Sequence, residues 1–143
     1  ALGAAVIQQP LYLVLGDLTF FHDLNGLIMS KLYQLNITII VINNNGGGIF
    51  SFLPQANHPN HFERLFGTPL DLKFEHAVNM YNGSYELIKD WNHFSASLAQ
   101  SSTRNGLTVL EVKTNRDDNL KEHRNLWDFV SREISNLVNG EWQ

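Results

Sequence analysis

The sequence predicts an α/β fold: an open, mainly parallel sheet with helices on both faces. Three observations carry that prediction. The runs LYLVL (residues 11–15) and ITIIVI (37–42) are continuously apolar, as strands covered on both faces must be. Residues between them repeat at helical rather than strand spacing, and a third strand-like run, LTVLEV, follows at 107–112. The first two runs also end abruptly in polar residues, Gly16-Asp17 and Asn43-Asn44-Asn45-Gly46.

Taken in order, GDLTFFHD reads as a turn after the first run. Leu24, Leu27, Ile28, Leu32 and Leu35 then mark an amphipathic helix. Strand, helix and strand make a βαβ unit with a right-handed crossover. Residues 49–69 hold only short helical pieces, broken by Pro54, Pro59, Gly67 and Pro69, and are expected to lie over the sheet edge as a surface segment. Phe74, Ala77, Val78 and Tyr81 mark a short helix, and SYELI (84–88) is a strand candidate. Asp90 can cap a helix that carries Trp91, Phe94 and Leu98 on one face. Leu126, Val130, Ile134 and Leu137 mark a long final helix, and Trp91, Trp127 and Trp142 read as packing anchors.

A chain of 143 residues with 43% hydrophobic and 17% charged residues can build a core and is not disordered in character. Its net charge of -4 argues against nucleic acid or an anionic membrane as main partner. With no cysteine there is neither a disulfide framework nor a thiolate metal site, and a cytoplasmic location is expected. The apolar runs are too short to span a bilayer, and no signal peptide is evident. Because it opens ALGAAVIQQP, in mid-pattern and without methionine, residues 1–143 are expected to be one domain, the C-terminal piece of a longer polypeptide.

In open α/β sheets, ligands collect outside the carboxyl ends of the strands. A βαβ crossover puts Asp17 and Asn44 on one sheet edge, on strands adjacent or one apart. Their oxygens are hard ligands, suited to Mg²⁺ or Ca²⁺; Mg²⁺ usually completes its shell with water and substrate phosphate. Gly46, Gly47 and Gly48, without Cβ, would let backbone N–H groups approach phosphate oxygens. Between Ala1 and Glu63 the only lysine or arginine is Lys31, so a bound diphosphate would need a divalent cation to neutralise it. No lysine follows the glycines as in a Walker A loop, and GGGIF is not GxGxxG. Each polar strand end alone is a turn signal. Their conjunction across one crossover points to a metal–phosphate site.

Gly16-Asp17 followed by Asn43-Asn44 resembles the GDG…NN motif of the thiamine diphosphate-dependent enzymes, with Leu18 in place of the motif's last glycine. The resemblance implies thiamine diphosphate and Mg²⁺, or Mn²⁺, as cofactors. The metal ligands would be the Asp17 carboxylate, the Asn44 side-chain oxygen and the Gly46 carbonyl; Leu18, Thr19, Gly46, Gly47, Gly48 and Ile49 would contact the cofactor. GDLTFFHDLNGL, NNNGGGIFSFLP, HFERLFGTP and EVKTNRDDNLKEHRNLW are similar to one branch, the 2-succinyl-5-enolpyruvyl-6-hydroxy-3-cyclohexene-1-carboxylate (SEPHCHC) synthases of menaquinone biosynthesis. For that branch the resemblance implies decarboxylation of 2-oxoglutarate and 1,4-addition of the product to isochorismate. Residues 1–143 would be its diphosphate-binding domain. Ile49, Phe50 and Leu53 would form apolar walls beside the reacting centre; from composition alone they read equally as core packing. The resemblance further implies a homo-oligomer, dimer or tetramer, in which a neighbouring subunit's pyrimidine-binding domain supplies the activating glutamate. Substrate-holding arginines would lie mainly elsewhere, so the isolated domain would bind cofactor weakly at most and not turn over.

The remaining polar residues carry less. His58 and His61 have Pro59 between them and no third ligand nearby, so they read as a surface loop. His22 and Asp23 read either as a border of the active site or as first-turn helix residues. Arg116, His123 and Arg124 read as a solvated face or a domain contact. Two rival readings are another carboligase or decarboxylase of the same family, and a non-catalytic Mg²⁺–phosphate binding module.

Overall fold

The computed structural model describes residues 1–140; Trp142, one of the expected packing anchors, lies outside the described residues. Strands β1 (Leu11–Gly16), β2 (Ile37–Asn43), β3 (Ser84–Leu87) and β4 (Leu107–Lys113) form one sheet in the order β1-β2-β4-β3, with every pairing parallel. The helices are α1 (Leu2–Ala5), α2 (Asp17–His22), α3 (Ile28–Leu32), α4 (Pro59–Phe62), α5 (Phe74–Met80), α6 (Trp91–Ser101) and α7 (Arg116–Asn139). Among the described residues no helix is long and apolar enough to cross a membrane.

Alternation along the strands divides the sheet into two faces. Ile37, Ile39 and Val41 of β2 and Leu107 and Val109 of β4 point to one side, where Phe20, Leu27, Phe74 and Val78 close the main core. Phe20 meets Phe74 edge-on with ring centroids 5.1 Å apart. On the opposite side Leu110 is fully buried. There Ser97 of α6 donates a hydrogen bond to Glu86 of β3 at 2.6 Å, and Arg104 pairs with the same carboxylate at 3.0 Å. Helices therefore lie on both faces of the sheet, as expected, but β1 is not covered on both: Tyr12 and Val14 are exposed, because among the described residues no helix packs over the second face of this edge strand.

Two expectations about the first crossover are corrected. Residues 17–22 form α2 rather than a turn: Gly16 stays extended as N-cap, and Asp17 takes the first helical position, where a carboxylate complements the helix dipole. The expected single helix over 24–35 is a 3₁₀ turn (Leu24–Leu27) followed by α3. Asn25-Gly26 is a weak helical pair, and the tighter turn absorbs it. Of the apolar stripe, Leu27 and Leu35 are buried while Ile28 and Leu32 are exposed.

Asp90 caps α6 as expected, accepting from the His93 amide at 2.8 Å. Asp90→Ala is expected to destabilise the domain by about 1 kcal/mol, read as a lowered thermal midpoint. The packing face of α6 differs from expectation: Trp91 is 80% exposed, and Ser97 and Ser101 are the buried residues. Small hydroxyl side chains let the helix approach the sheet closely, leaving Trp91 edge-on to Phe94. Asn115 caps α7 by accepting from the amides of Asp117 and Asp118, and Gly140, at φ 74°, ends it. The stripe Leu126, Val130, Ile134 and Leu137 is exposed. Trp127 touches Phe52 together with His123 but is 55% exposed, so it is a partial contact rather than a buried anchor.

Candidate metal and diphosphate site

β1 and β2 are adjacent and parallel, with Gly16 opposite Ile42, so Asp17 and Asn43 leave the sheet side by side. Of the two arrangements open from the sequence, the strands are neighbours. The loop that follows β2 is ordered by its own asparagines. Asn43 Oδ1 accepts from the Asn45 amide at 2.9 Å, an Asx turn that holds Asn45 at φ 58°. The Asn45 side chain accepts from the amides of Leu70 and Asp71 and donates to the Asp71 carboxylate at 2.8 Å. Gly46 sits at φ 133°, and its amide donates to Asp17 Oδ2 at 2.7 Å. Residues from two strand ends are thus joined directly.

The glycines answer a tighter demand than room for a phosphate. The Gly47 amide donates to the Gly67 carbonyl at 2.7 Å. A Cβ at Gly46 would collide with that same carbonyl, one at Gly47 with the Phe66 carbonyl and the Phe50 ring, and one at Gly48 with the Asn44 amide nitrogen. The segment 66–71 is therefore the second wall of the loop, a role that sequence reading did not give it. Its signal is the run of backbone punctuators Gly67, Thr68 and Pro69, with Thr68 at φ 42° and Asp71 at φ 50°.

Two features bear on a cation. Asp17 is only 3% exposed, and among the described residues its carboxylate forms no ion pair. Among the described residues Asn44 Oδ1 is buried with no hydrogen-bond partner. A buried carboxylate without a counter-charge and an orphaned amide oxygen are both costly in protein alone. The Gly46 carbonyl accepts from the Gly48 amide at 3.0 Å and keeps a second lone pair. Among the described residues no three His, Cys, Asp or Glu side chains cluster as a metal site. One carboxylate with neutral oxygens suits a hard cation that takes its other ligands from water and phosphate. Asn44 also lines a cavity of about 530 Å³ with Ser51, Glu63, Arg116 and Arg124; Asp17 is not part of that lining and reaches the loop through Gly46.

Beyond the glycines, residues 48–52 turn as a 3₁₀ helix. Ile49 is 73% exposed and Leu53 42%, so core packing does not account for either. Phe50 is half-buried against Phe66, with centroids 5.7 Å apart. Leu18 is half-buried and Thr19 exposed on α2. His58 and His61 are exposed, as expected of a surface segment. His22 is exposed at the end of α2, and Asp23 follows that helix rather than opening one. Arg116 is not on a solvated face: it bonds Glu63 at 2.7 Å, and its Nη1 is buried without a partner among the described residues.

Sequence reading also missed Glu111. It is 2% exposed, on the core face of β4, and accepts from Asn43 Nδ2 at 2.8 Å and from the Tyr85 hydroxyl at 2.7 Å. Burial, and then the bond to Glu111, push the Tyr85 hydroxyl well above its ordinary range. A glutamate in the middle of LTVLEV was the available signal.

The chain is 54% identical over 96% of its length to the SEPHCHC synthase of Geobacillus thermodenitrificans, and 51% identical over 99% to that of Bacillus cytotoxicus. It spans 24% of the length of each of those relatives. In structure, 80% of the chain superimposes on a thiamine diphosphate-dependent 4-hydroxybenzoylformate decarboxylase of Rhodococcus jostii, with a TM-score of 0.69, 19% identity and 22% of that chain covered. A benzoylformate decarboxylase of Polynucleobacter necessarius gives 0.66 over 80% of this chain and 23% of its own, at 17% identity. These likenesses show the same fold. Residues 1–112 match the family described as thiamine pyrophosphate enzyme, C-terminal TPP binding domain, and the chain belongs to that family.

Proposed function

We propose that this chain is the diphosphate- and Mg²⁺-binding domain of a SEPHCHC synthase, working as part of a longer polypeptide. The observation that carries this reading is the buried Asp17 carboxylate, bonded to the Gly46 amide and without an ion pair among the described residues, beside the orphaned Asn44 oxygen. Asp17, Asn44 and the Gly46 carbonyl are the proposed ligands of Mg²⁺, or of Mn²⁺ in its place, and the metal would bind the diphosphate. Leu18, Thr19, Gly47 and Gly48 would border the cofactor. Bound thiamine diphosphate supplies the electron sink for decarboxylating 2-oxoglutarate and joining the product to isochorismate.

This chain's own contribution is to hold the metal and to keep the reacting centre dry. Exposed Ile49 and Leu53 would border the substrate, with Phe50 fixing the turn through Phe66; a water-poor wall would favour loss of CO₂, whose bonding electron pair the bound cofactor would take up. In this reading a neighbouring subunit of a homodimer or tetramer supplies a pyrimidine-binding domain, and the enzyme acts in the cytoplasm. Residues 1–143 alone would be inactive.

The test is to assay the full-length parent with isochorismate and either 2-oxoglutarate or pyruvate. Preference for 2-oxoglutarate supports the synthase; preference for pyruvate makes it another carboligase of the family. A Mg²⁺–phosphate module would give no more binding heat with thiamine diphosphate than with diphosphate. Ile49→Ala is expected to lower kcat about tenfold or more with metal affinity unchanged. Equal losses in both would return Ile49 to a packing role.

A further inference from the structure

The buried carboxylate of Glu111 has no part in the scheme above, yet it is wired into the candidate site. It lies on β4, with Tyr85 of β3 on one side and Asn43 of β2 on the other. Its Oε2 accepts from the Tyr85 hydroxyl at 2.7 Å and its Oε1 from Asn43 Nδ2 at 2.8 Å. Asn43 Oδ1 in turn accepts from the Asn45 amide, and the Asn45 side chain fixes residues 70–71. One line of hydrogen bonds therefore runs from β3 across β4 and β2 into the loop that holds Asn44 and Gly46. Burying a carboxylate at 2% exposure among apolar neighbours is expensive, and among the described residues no basic side chain pairs with it. An apolar residue at this position would satisfy the core; it would leave the Asn43 amide free to rotate.

We propose that Glu111 is a positioning residue for the metal loop: by fixing which end of the Asn43 amide faces the Asn45 N–H, it pre-sets the turn that presents Asn44 and Gly46. An acceptor-only group is needed, because only a carboxylate can take both donors without offering one back. The inference deepens the proposed metal site and rests on it for its effect on affinity. The geometry it claims is independent of any ligand.

The geometry also supplies its own rescue. Asn43→Asp sets two carboxylates against each other at hydrogen-bond distance. Adding Glu111→Gln restores every bond, with only the one between positions 43 and 111 reversed: the new amide donates to the new carboxylate at position 43, whose other oxygen still accepts from Asn45, and Tyr85 still donates, now to the amide oxygen. Net charge is unchanged. Two readouts are taken on the full-length parent: hydrogen exchange of the Asn45 and Gly46 amides without cofactor, and affinity for thiamine diphosphate with Mg²⁺. Asn43→Asp is expected to speed exchange and weaken affinity by about 10–100-fold, the range found when outer partners of metal ligands are removed. The double variant is expected to recover both.

A single variant unchanged in both readouts would overturn the proposal. So would a double variant no better than the single, or one that fails to fold. If the single variant does not fold, the double decides alone: near-parental affinity supports the proposal and lost affinity refutes it. A purely structural Glu111 would lower the thermal midpoint in step with exchange across the sheet, without a separate loss at Asn45 and Gly46. A parent that binds no cofactor at all would sink the proposed function instead, and the exchange readout would still judge Glu111.

Discussion

Asp17→Ala in the full-length parent is expected to abolish Mg²⁺-dependent binding of thiamine diphosphate while leaving the domain folded. The side chain has two jobs in this geometry. Its carboxylate is the one charged oxygen group proposed for the metal, and its Oδ2 already holds the Gly46 amide at 2.7 Å. Removing it deletes the charge that draws a divalent cation and leaves a buried N–H unpaired, a cost of about 1–3 kcal/mol. The same change also relieves a buried carboxylate that forms no ion pair among the described residues, which offsets much of that cost in the cofactor-free protein. The expected pattern is therefore asymmetric. Calorimetry should show no cofactor heat, while the thermal midpoint without cofactor stays close to that of the parent. Cofactor affinity equal to the parent's would contradict the assignment of Asp17 as a ligand.

Gly46→Ala is expected to be the most damaging small substitution in the chain. At φ 133° an L side chain is strained, and its Cβ would meet the Gly67 carbonyl, which the neighbouring Gly47 amide needs as acceptor. Backbone strain of about 1–3 kcal/mol combines with an overpacking cost of similar size. A loss of about 2–6 kcal/mol of stability, or a loop displaced far enough to lose cofactor binding, should follow. Gly16→Ala is the control: nothing lies within 4 Å of a Cβ there, and φ is -82°. Urea unfolding of both variants should separate them, with Gly16→Ala near the parent. Similar midpoints for the two would mean that the loop yields without cost and that its shape is not what presents Asn44.

What the sequence disclosed was whatever local periodicity and strand burial encode. Strands β1, β2 and β4 are mainly apolar runs, so their ends, and with them Asp17 and Asn44, could be placed on one sheet edge from the sequence alone. The caps at Asp90 and Asn115 differ in this respect: both use standard side-chain chemistry, but only Asp90 stood directly before an obvious apolar stripe. Other features arise from contacts far apart in the chain. GDLTFFHD reads as a turn from its glycine and aspartates, and becomes helix because the crossover must leave the sheet immediately after β1. Glu111 in LTVLEV looks like a solvent-facing break in a strand. It points inward because Asn43 and Tyr85, on the two flanking strands, supply donors that no window of sequence reveals. The apolar stripe of α7 was legible as a helix, whereas its exposure is a property of the tertiary fold.

The claim on which everything else depends is that one hard cation joins the ends of β1 and β2. The direct measurement is a crystal structure of the full-length parent with thiamine diphosphate and Mn²⁺, the metal located by its anomalous scattering. A single peak in direct contact with an Asp17 carboxylate oxygen, Asn44 Oδ1 and the Gly46 carbonyl, and with the diphosphate, is the predicted result. A bound diphosphate whose metal lies elsewhere, with Asn44 Oδ1 turned away from it, would contradict the account.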